Sequence, residues 1–220
     1  MTSRLRLDLH LHTRGSWDCL SDPDAVLARA AEQGIGRIAI TDHDRLGLAL
    51  EWASRHPDRV IPGEEVRTAE GVDLIGLYLS TEIPRGTPAE ETCRRIREQG
   101  GIVYLPHPFA PGKGGGGRLA ERLAPLVDVV EVFNGRLRNP AHNVRARELA
   151  GRHGRLAAAG SDAHTVGEVG GSWVELPHHR NEPEALLAAL AHGTVRGVRA
   201  PFHVFLASNW AKLRKRLPGA

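Results

Sequence analysis

The sequence has no run of 18 apolar residues, so no segment of it reads as a membrane-spanning helix. Its first residues, Met1-Thr2-Ser3-Arg4, lack an apolar signal region, which predicts a cytoplasmic protein without a membrane partner. Cysteine is nearly absent. Cys19 and Cys93 stand far apart and form no Cys-x-x-Cys pair, as expected of reduced cytosolic thiols. Lysine occurs only at positions 113, 212 and 215, so arginine carries nearly all the positive charge. Arginine suits bidentate phosphate or carboxylate contacts, although genome composition is the simpler cause of such a bias. No ankyrin-like or similar short repeat is visible. The formal net charge of +3 over 220 residues is small, and 41% hydrophobic with 25% charged residues is ordinary for a globular domain. That length suits one domain with a full core. Histidine is the exception: there are 12, and several fall into short motifs.

The first hydrophobic run ends in Asp8-Leu9-His10-Leu11-His12. Leucines at 5, 7, 9 and 11 alternate with polar residues, the period of a strand. That period puts Asp8, His10 and His12 on one face and the leucines on the other. Further strand-like runs follow at 37–41, 59–61, 72–79, 102–105, 127–133 and 156–159. Helical runs lie between most of them: 25–33 after Ser21-Asp22-Pro23-Asp24, 46–55, one opened by Thr87-Pro88-Ala89-Glu90, a short one near 118–123, and one from Asn139-Pro140 to Arg152. A last helix runs from Pro183 to Ala191. Helices end repeatedly in glycine, at 34, 100, 154 and 193, which marks helix-to-strand loops. Alternation at this spacing predicts parallel strands in an α/β barrel, with the polar clusters at the C-terminal strand ends. The barrel is expected over residues 1–200, with 201–220 as a basic helix or tail packed on it.

Each cluster has a bland reading when taken alone. Asp18 could be a turn residue, and Asp44 in Thr41-Asp42-His43-Asp44 a helix cap. In Pro62-Gly63-Glu64-Glu65 either carboxylate could ligate, with Glu65 favoured. Pro106-His107-Pro108 holds an imidazole in a rigid extended segment. Asp162-Ala163-His164 repeats a carboxylate and an imidazole two apart. A satisfied core histidine explains any one of these clusters and does not easily explain all of them.

Taken together, Asp8-Leu9-His10-Leu11-His12-Thr13, Thr41-Asp42-His43, Gly101-Ile102 through His107-Pro108, and Gly160-Ser161-Asp162-Ala163-His164 resemble the four motifs of the PHP (polymerase and histidinol phosphatase) domain, in order and spacing. The resemblance covers about residues 4–200. It implies a distorted (β/α)7 barrel holding two or three divalent ions (Mn, Fe or Zn). Members include histidinol phosphatases, nucleotide phosphatases, exonucleases and polymerase proofreading domains. It also implies His10, His12, Asp18, His43, Glu65, His107, Asp162 and His164 as metal ligands. Where many members carry a histidine on the strand after the glutamate, this chain has Asp73, an oxygen donor. Glu131 is a weaker candidate that fits a residue facing the barrel interior.

Mixed imidazole and carboxylate donors suit Zn²⁺, Mn²⁺ or Fe²⁺, which lower the pKa of bound water toward ~7. Asp162 and His164 are expected at the reacting centre, with Arg14 and Arg136 neutralising phosphoryl oxygens. Pro111-Gly112-Lys113 through Gly117 is not a Walker loop. It reads as a flexible rim, with Lys113 as a phosphate contact. The expected substrate is a small nucleotide-like phosphomonoester handled by a metal-bound hydroxide. Short nucleic acids, a carboxyl ester or carbamate, and a non-catalytic nucleic-acid-binding or scaffold role are the alternatives. Nucleic acid is not favoured because no basic groove is evident.

Overall fold

The computed structural model describes residues 4–112 and 114–217. Among these residues the strands form one nine-stranded sheet in the order β7-β6-β5-β4-β3-β2-β1-β8-β9. They are β1 (Arg4–Leu11), β2 (Arg37–His43), β3 (Val60–Arg67), β4 (Asp73–Leu77), β5 (Ile102–Leu105), β6 (Val129–Asn134), β7 (Leu156–Gly160), β8 (Ser172–Pro177) and β9 (Thr194–Gly197). The helices are α1 (Pro23–Glu32), α2 (Gly47–Arg55), α3 (Ala89–Glu98), α4 (Arg118–Leu123), α5 (Pro140–Arg152), α6 (Pro183–Leu190) and α7 (Val204–Arg214).

β1 to β7 curl into a nearly closed ring, the distorted barrel expected. The free edge of β1 is shared. Arg4–Leu7 pair antiparallel with β8, while the C-terminal end of β1 meets the segment after β7 through a single Leu11–Ala163 bridge. Two apolar layers follow. One draws on β1 to β8 and α6 (Leu9, Ile61, Ile75, Tyr104, Val129, Ala158 and Leu186 among them) and so fills the ring. The other lies between the strands and α1 to α5.

Three expectations are corrected. The strands are not all parallel: β4 runs antiparallel to both β3 and β5. Only a short turn through Gly71 (φ 77°) links β3 to β4, and a turn without a crossover helix can join only antiparallel neighbours. β8 and β9 lie in a stretch the alternation did not mark as strand. In β1 the register against β2 shifts between Asp8 and Leu11. Leu7 and Leu9 therefore belong to the ring interior and Leu11 to the helix side, so the strict opposition of leucines and polar residues fails.

Helix ends follow local chemistry. Asp22 and Asn139 cap α1 and α5 through their side chains. α3 has no side-chain cap from Pro88; Glu70 instead accepts from Ala89 N at 2.9 Å. Asp44 does not cap α2. It sits at φ 53°, accepts from Arg67 N and pairs with Arg85. No helix among the described residues is long and apolar enough to cross a membrane.

Candidate metal centre

The C-terminal strand ends bring the predicted ligands together. His10 lies on β1 and His12 just beyond it, His43 ends β2, and Glu65 lies on β3. His107 follows β5, and Asp162 and His164 follow β7. Three groups have donor atoms within 4.8 Å of one another: His12, His43 and His164; His10, Glu65 and His107; and His10, His12 and Asp162. Asp18 joins them through His164 Nε2 at 3.2 Å and His43 Nε2 at 3.7 Å. His107 and Asp162 sit at φ 26° and φ 53°, so the Pro106-His107-Pro108 segment is bent at its centre rather than extended. Glu131 accepts from His107 N at 2.7 Å, which holds that unusual backbone in place.

The hydrogen bonds fix which imidazole nitrogens face inward. Glu131 takes donors from Tyr104 Oη, His107 N and Asn134 Nδ2, so it accepts from His10 Nδ1–H at 3.0 Å as well. Ser16 Oγ donates to Asp42 at 2.7 Å, leaving its lone pairs to accept from His43 N and from His12 Nδ1–H. The Asp162 carbonyl can only accept, so His164 donates to it from Nδ1. With their Nδ1 protons committed, His10, His12 and His164 turn Nε2 lone pairs toward the centre. His10 Nε2 and His12 Nε2 are only 3.2 Å apart. His12 Nε2 also lies 3.3 Å from both Glu65 Oε2 and Asp162 Oδ1. So many acceptors in contact repel unless a cation lies among them. The donor set therefore fits divalent ions, with each ligand oriented by a partner behind it.

Without a metal, protons on some of these imidazoles supply the positive charge, and His12 alone is driven neutral. Burial and the charges of His164 and His43 push His12 down to about 3. For His10, burial opposes the charged form but Glu131 and Glu65 outweigh it and hold the group well above its ordinary value. His43 rises to about 9 in the same way, burial being overcome by Glu65. Burial would raise Glu65, yet His43 and His10 keep it well below the usual carboxylate range.

Several expected residues stand elsewhere. Glu64 faces away and accepts from Ile83 N, which leaves Glu65 as the carboxylate in the cluster. Asp73 lines the same cavity but joins none of the three groups. It lies opposite Arg67 in the β3–β4 register and pairs with it at 2.5 Å, so a guanidinium supplies its counter-charge. Arg14 pairs with Asp22 and sits 5.4 Å from the Trp52 ring, away from the cavity. Arg136 does line the cavity, held by Glu168 at 3.0 Å and Ser208 at 2.7 Å. The glycine loop is not a free rim: Gly114 O accepts from Asp73 N, and a Cβ at Gly114 would fall 1.8 Å from the Asp73 carboxylate. Lys113 lies outside the described residues. Sequence reasoning missed Ser16, Asp42, Tyr104, Asn134 and Glu168. These residues orient others and form no spaced motif of their own.

The cluster forms the floor of a cavity of about 600 Å³ walled by Trp17, Arg67, Arg85 and, on α7, Phe205, Ser208, Asn209 and Lys212. Residues 8–100 match the PHP domain model and residues 140–195 the PHP-associated model. The chain belongs to the PHP domain family. The uncharacterized protein MJ0417 of Methanocaldococcus jannaschii is 38% identical over 176 residues, covering 78% of this chain and 70% of its own length. The 5'-3' exoribonuclease Rnm of Escherichia coli is 36% identical over 93 residues, 35% of this chain and 29% of Rnm. A two-domain protein from Bacteroides vulgatus, described as containing a predicted PHP-like metal-dependent phosphoesterase, superposes with a TM-score of 0.70 at 16% identity, covering 96% of this chain and 70% of that one.

Proposed function

We propose that the protein hydrolyses a small phosphomonoester, nucleotide-like in size, using two divalent ions (Mn, Fe or Zn) held by His10, His12, Asp18, His43, Glu65, His107, Asp162 and His164. The observation that carries this reading is the inward-facing cluster of Nε2 lone pairs and carboxylates at the floor of one compact cavity. When bound, the ions supply Lewis acidity and a water acidified toward ~7. The chain's own residues do the rest. Glu131 and Ser16 lock the tautomers of His10 and His12, so these donors need no reorganisation. Asp162, His164 and Arg136 line the cavity and are assigned to meet an incoming phosphoryl group. Asp73 and Arg14 are left out of the reacting set.

Rnm's name and the four cations of the wall, Arg67, Arg85, Arg136 and Lys212, favour a second reading, an exonuclease on short nucleic acids. Each of the three arginines is already matched by a carboxylate, whereas strand tracking needs uncompensated positive charge. The monoester reading is therefore the stronger.

The test is metal analysis of protein purified without chelator, then phosphate release from nucleoside monophosphates beside cleavage of short oligonucleotides. About two equivalents of metal and preferred monoester turnover are expected. Both should be lost in His10→Ala and Asp162→Ala with the fold retained. Less than one equivalent after reconstitution sinks the metal assignment. Faster, salt-sensitive oligonucleotide cleavage puts the exonuclease reading in its place.

A further inference from the structure

The charge balance of the cavity wall singles out one residue. Arg67 is paired with Asp73 at 2.5 Å, Arg85 with Asp44 at 2.6 Å, and Arg136 with Glu168 at 3.0 Å. Lys212 is the cavity-lining cation with no carboxylate partner among the described residues. Its Nζ rests instead 4.9 Å from the centre of the Trp17 ring. A cation–π contact of this kind is weak where water has access, and it leaves the charge uncompensated. Trp17 in turn stacks on His43 at 5.7 Å and 28°, so the ammonium stands one ring away from the metal cluster.

The helix that carries Lys212 is anchored on the same side. Ser208 accepts from Arg136, and Lys215, just past the end of α7, donates to the carbonyls of Arg14 and Ser16, in the turn that orients His12. Yet α7 lies beyond both family-model matches, which end at residues 100 and 195.

We propose that Lys212 is a substrate-binding residue: its ammonium takes a non-bridging phosphoryl oxygen, and α7 is thereby the specificity wall of the cavity. The floor is rich in carboxylates, so a phosphate dianion needs a cation not already neutralised, and among the described residues Lys212 is that cation. The assignment rests on the phosphoesterase reading, and a ligand-binding arm separates their failures.

Metal-loaded wild type, Lys212→Met and Lys212→Arg are compared in three measurements: KM and kcat on whichever phosphomonoester is turned over, competitive inhibition by inorganic phosphate, and calorimetric titration with inorganic phosphate. The methionine keeps the aliphatic stem over Trp17. It should raise KM and weaken phosphate binding about tenfold while kcat changes less than about threefold, and arginine should recover part of the loss. Metal content and Tm should match wild type. Should no phosphoester be hydrolysed, the phosphoesterase reading fails, while tenfold weaker phosphate binding by the methionine variant still supports Lys212. Unchanged phosphate affinity in that variant, or no phosphate binding by wild type, overturns the assignment. A fall in kcat and metal content at constant KM overturns it too, making Lys212 a prop for Trp17.

Discussion

At the scale of single residues, the site depends on what stands behind the ligands. Glu131 is wholly buried and gathers four donors, one of them His10 Nδ1–H at 3.0 Å. Glu131→Gln keeps the shape but removes the charge that raises the basicity of His10. Losing an orienting partner of this kind lowers metal affinity about 10–100-fold. A competition titration against a chelator should show that loss with far-ultraviolet circular dichroism unchanged; wild-type affinity would make Glu131 purely structural. The ligands themselves were legible because His-x-His, Asp-x-His and a histidine beside proline recur at strand ends in one order. Their orienters were not. Glu131 reaches His10 across 121 residues, and Ser16, though only four residues after His12, reads in sequence as an ordinary loop serine. Arg14 misled for the converse reason: it lies in the right loop, but Asp22 and Trp52 hold its guanidinium outside the cavity.

At the scale of elements, the alternation of strands and helices marked seven barrel strands but not their directions. The reversal of β4 comes from the short Gly71 turn, and it places Arg67 opposite Asp73 and so gives that cavity-lining carboxylate a guanidinium partner. The glycine loop then closes over Asp73, and two glycines in it separate backbone strain from contact. Gly112 (φ 70°) has nothing within 4 Å of an added Cβ, whereas Gly114 (φ 71°) would put one into the Asp73 carboxylate. Both alanine variants pay the left-handed backbone cost of about 1 kcal/mol, and Gly114→Ala adds a clash. Thermal denaturation should therefore rank wild type above Gly112→Ala above Gly114→Ala, and equal Tm values for the two variants would deny the loop's contact with Asp73.

β3 carries a second test, through Glu64. Burial pushes its carboxyl up to about 8, and one oxygen lacks a partner. A folded-state pKa above the unfolded value means that folding binds the proton. The stabilisation is then complete below about 4.5 and is lost as pH rises to about 8. Glu64→Gln removes that dependence, so its Tm relative to wild type should climb between pH 5 and pH 8.5, by about 3 °C or more. A difference that is flat with pH would mean the group is ionised in the folded protein.

At the scale of the whole molecule, the ring is weakest where it carries its chemistry. Elsewhere each strand pairs with its neighbour at two or more register positions, β5 and β6 being the shortest pair, but β1 meets the chain after β7 at one isolated bridge. That seam consists of His12 N to Ala163 O at 2.9 Å, Asp162 N to His10 O at 2.8 Å, and Ser161 N to the Asp8 carboxylate at 2.9 Å. The same few residues hold His10 and His12 on one side and Asp162 and His164 on the other, with donor atoms of both sides in contact. Without a cation the acceptors there repel, and with one they pull the two edges together. A metal bound there would close the barrel as well as equip it. A ligand at about 100 times its Kd stabilises the folded state by about 2.7 kcal/mol, worth about 5–11 °C in a domain of this size. The seam makes the prediction local as well. Chelation should speed hydrogen exchange at the amides of His12, Ser161 and Asp162 far more than in β2 and β3, whose pairing is continuous from Ile38–Val60 to His43–Glu65. Uniform loss of protection throughout the sheet would mean that metal stabilises the fold globally, and unchanged protection at the seam would mean that the backbone bridge holds the ring closed without it.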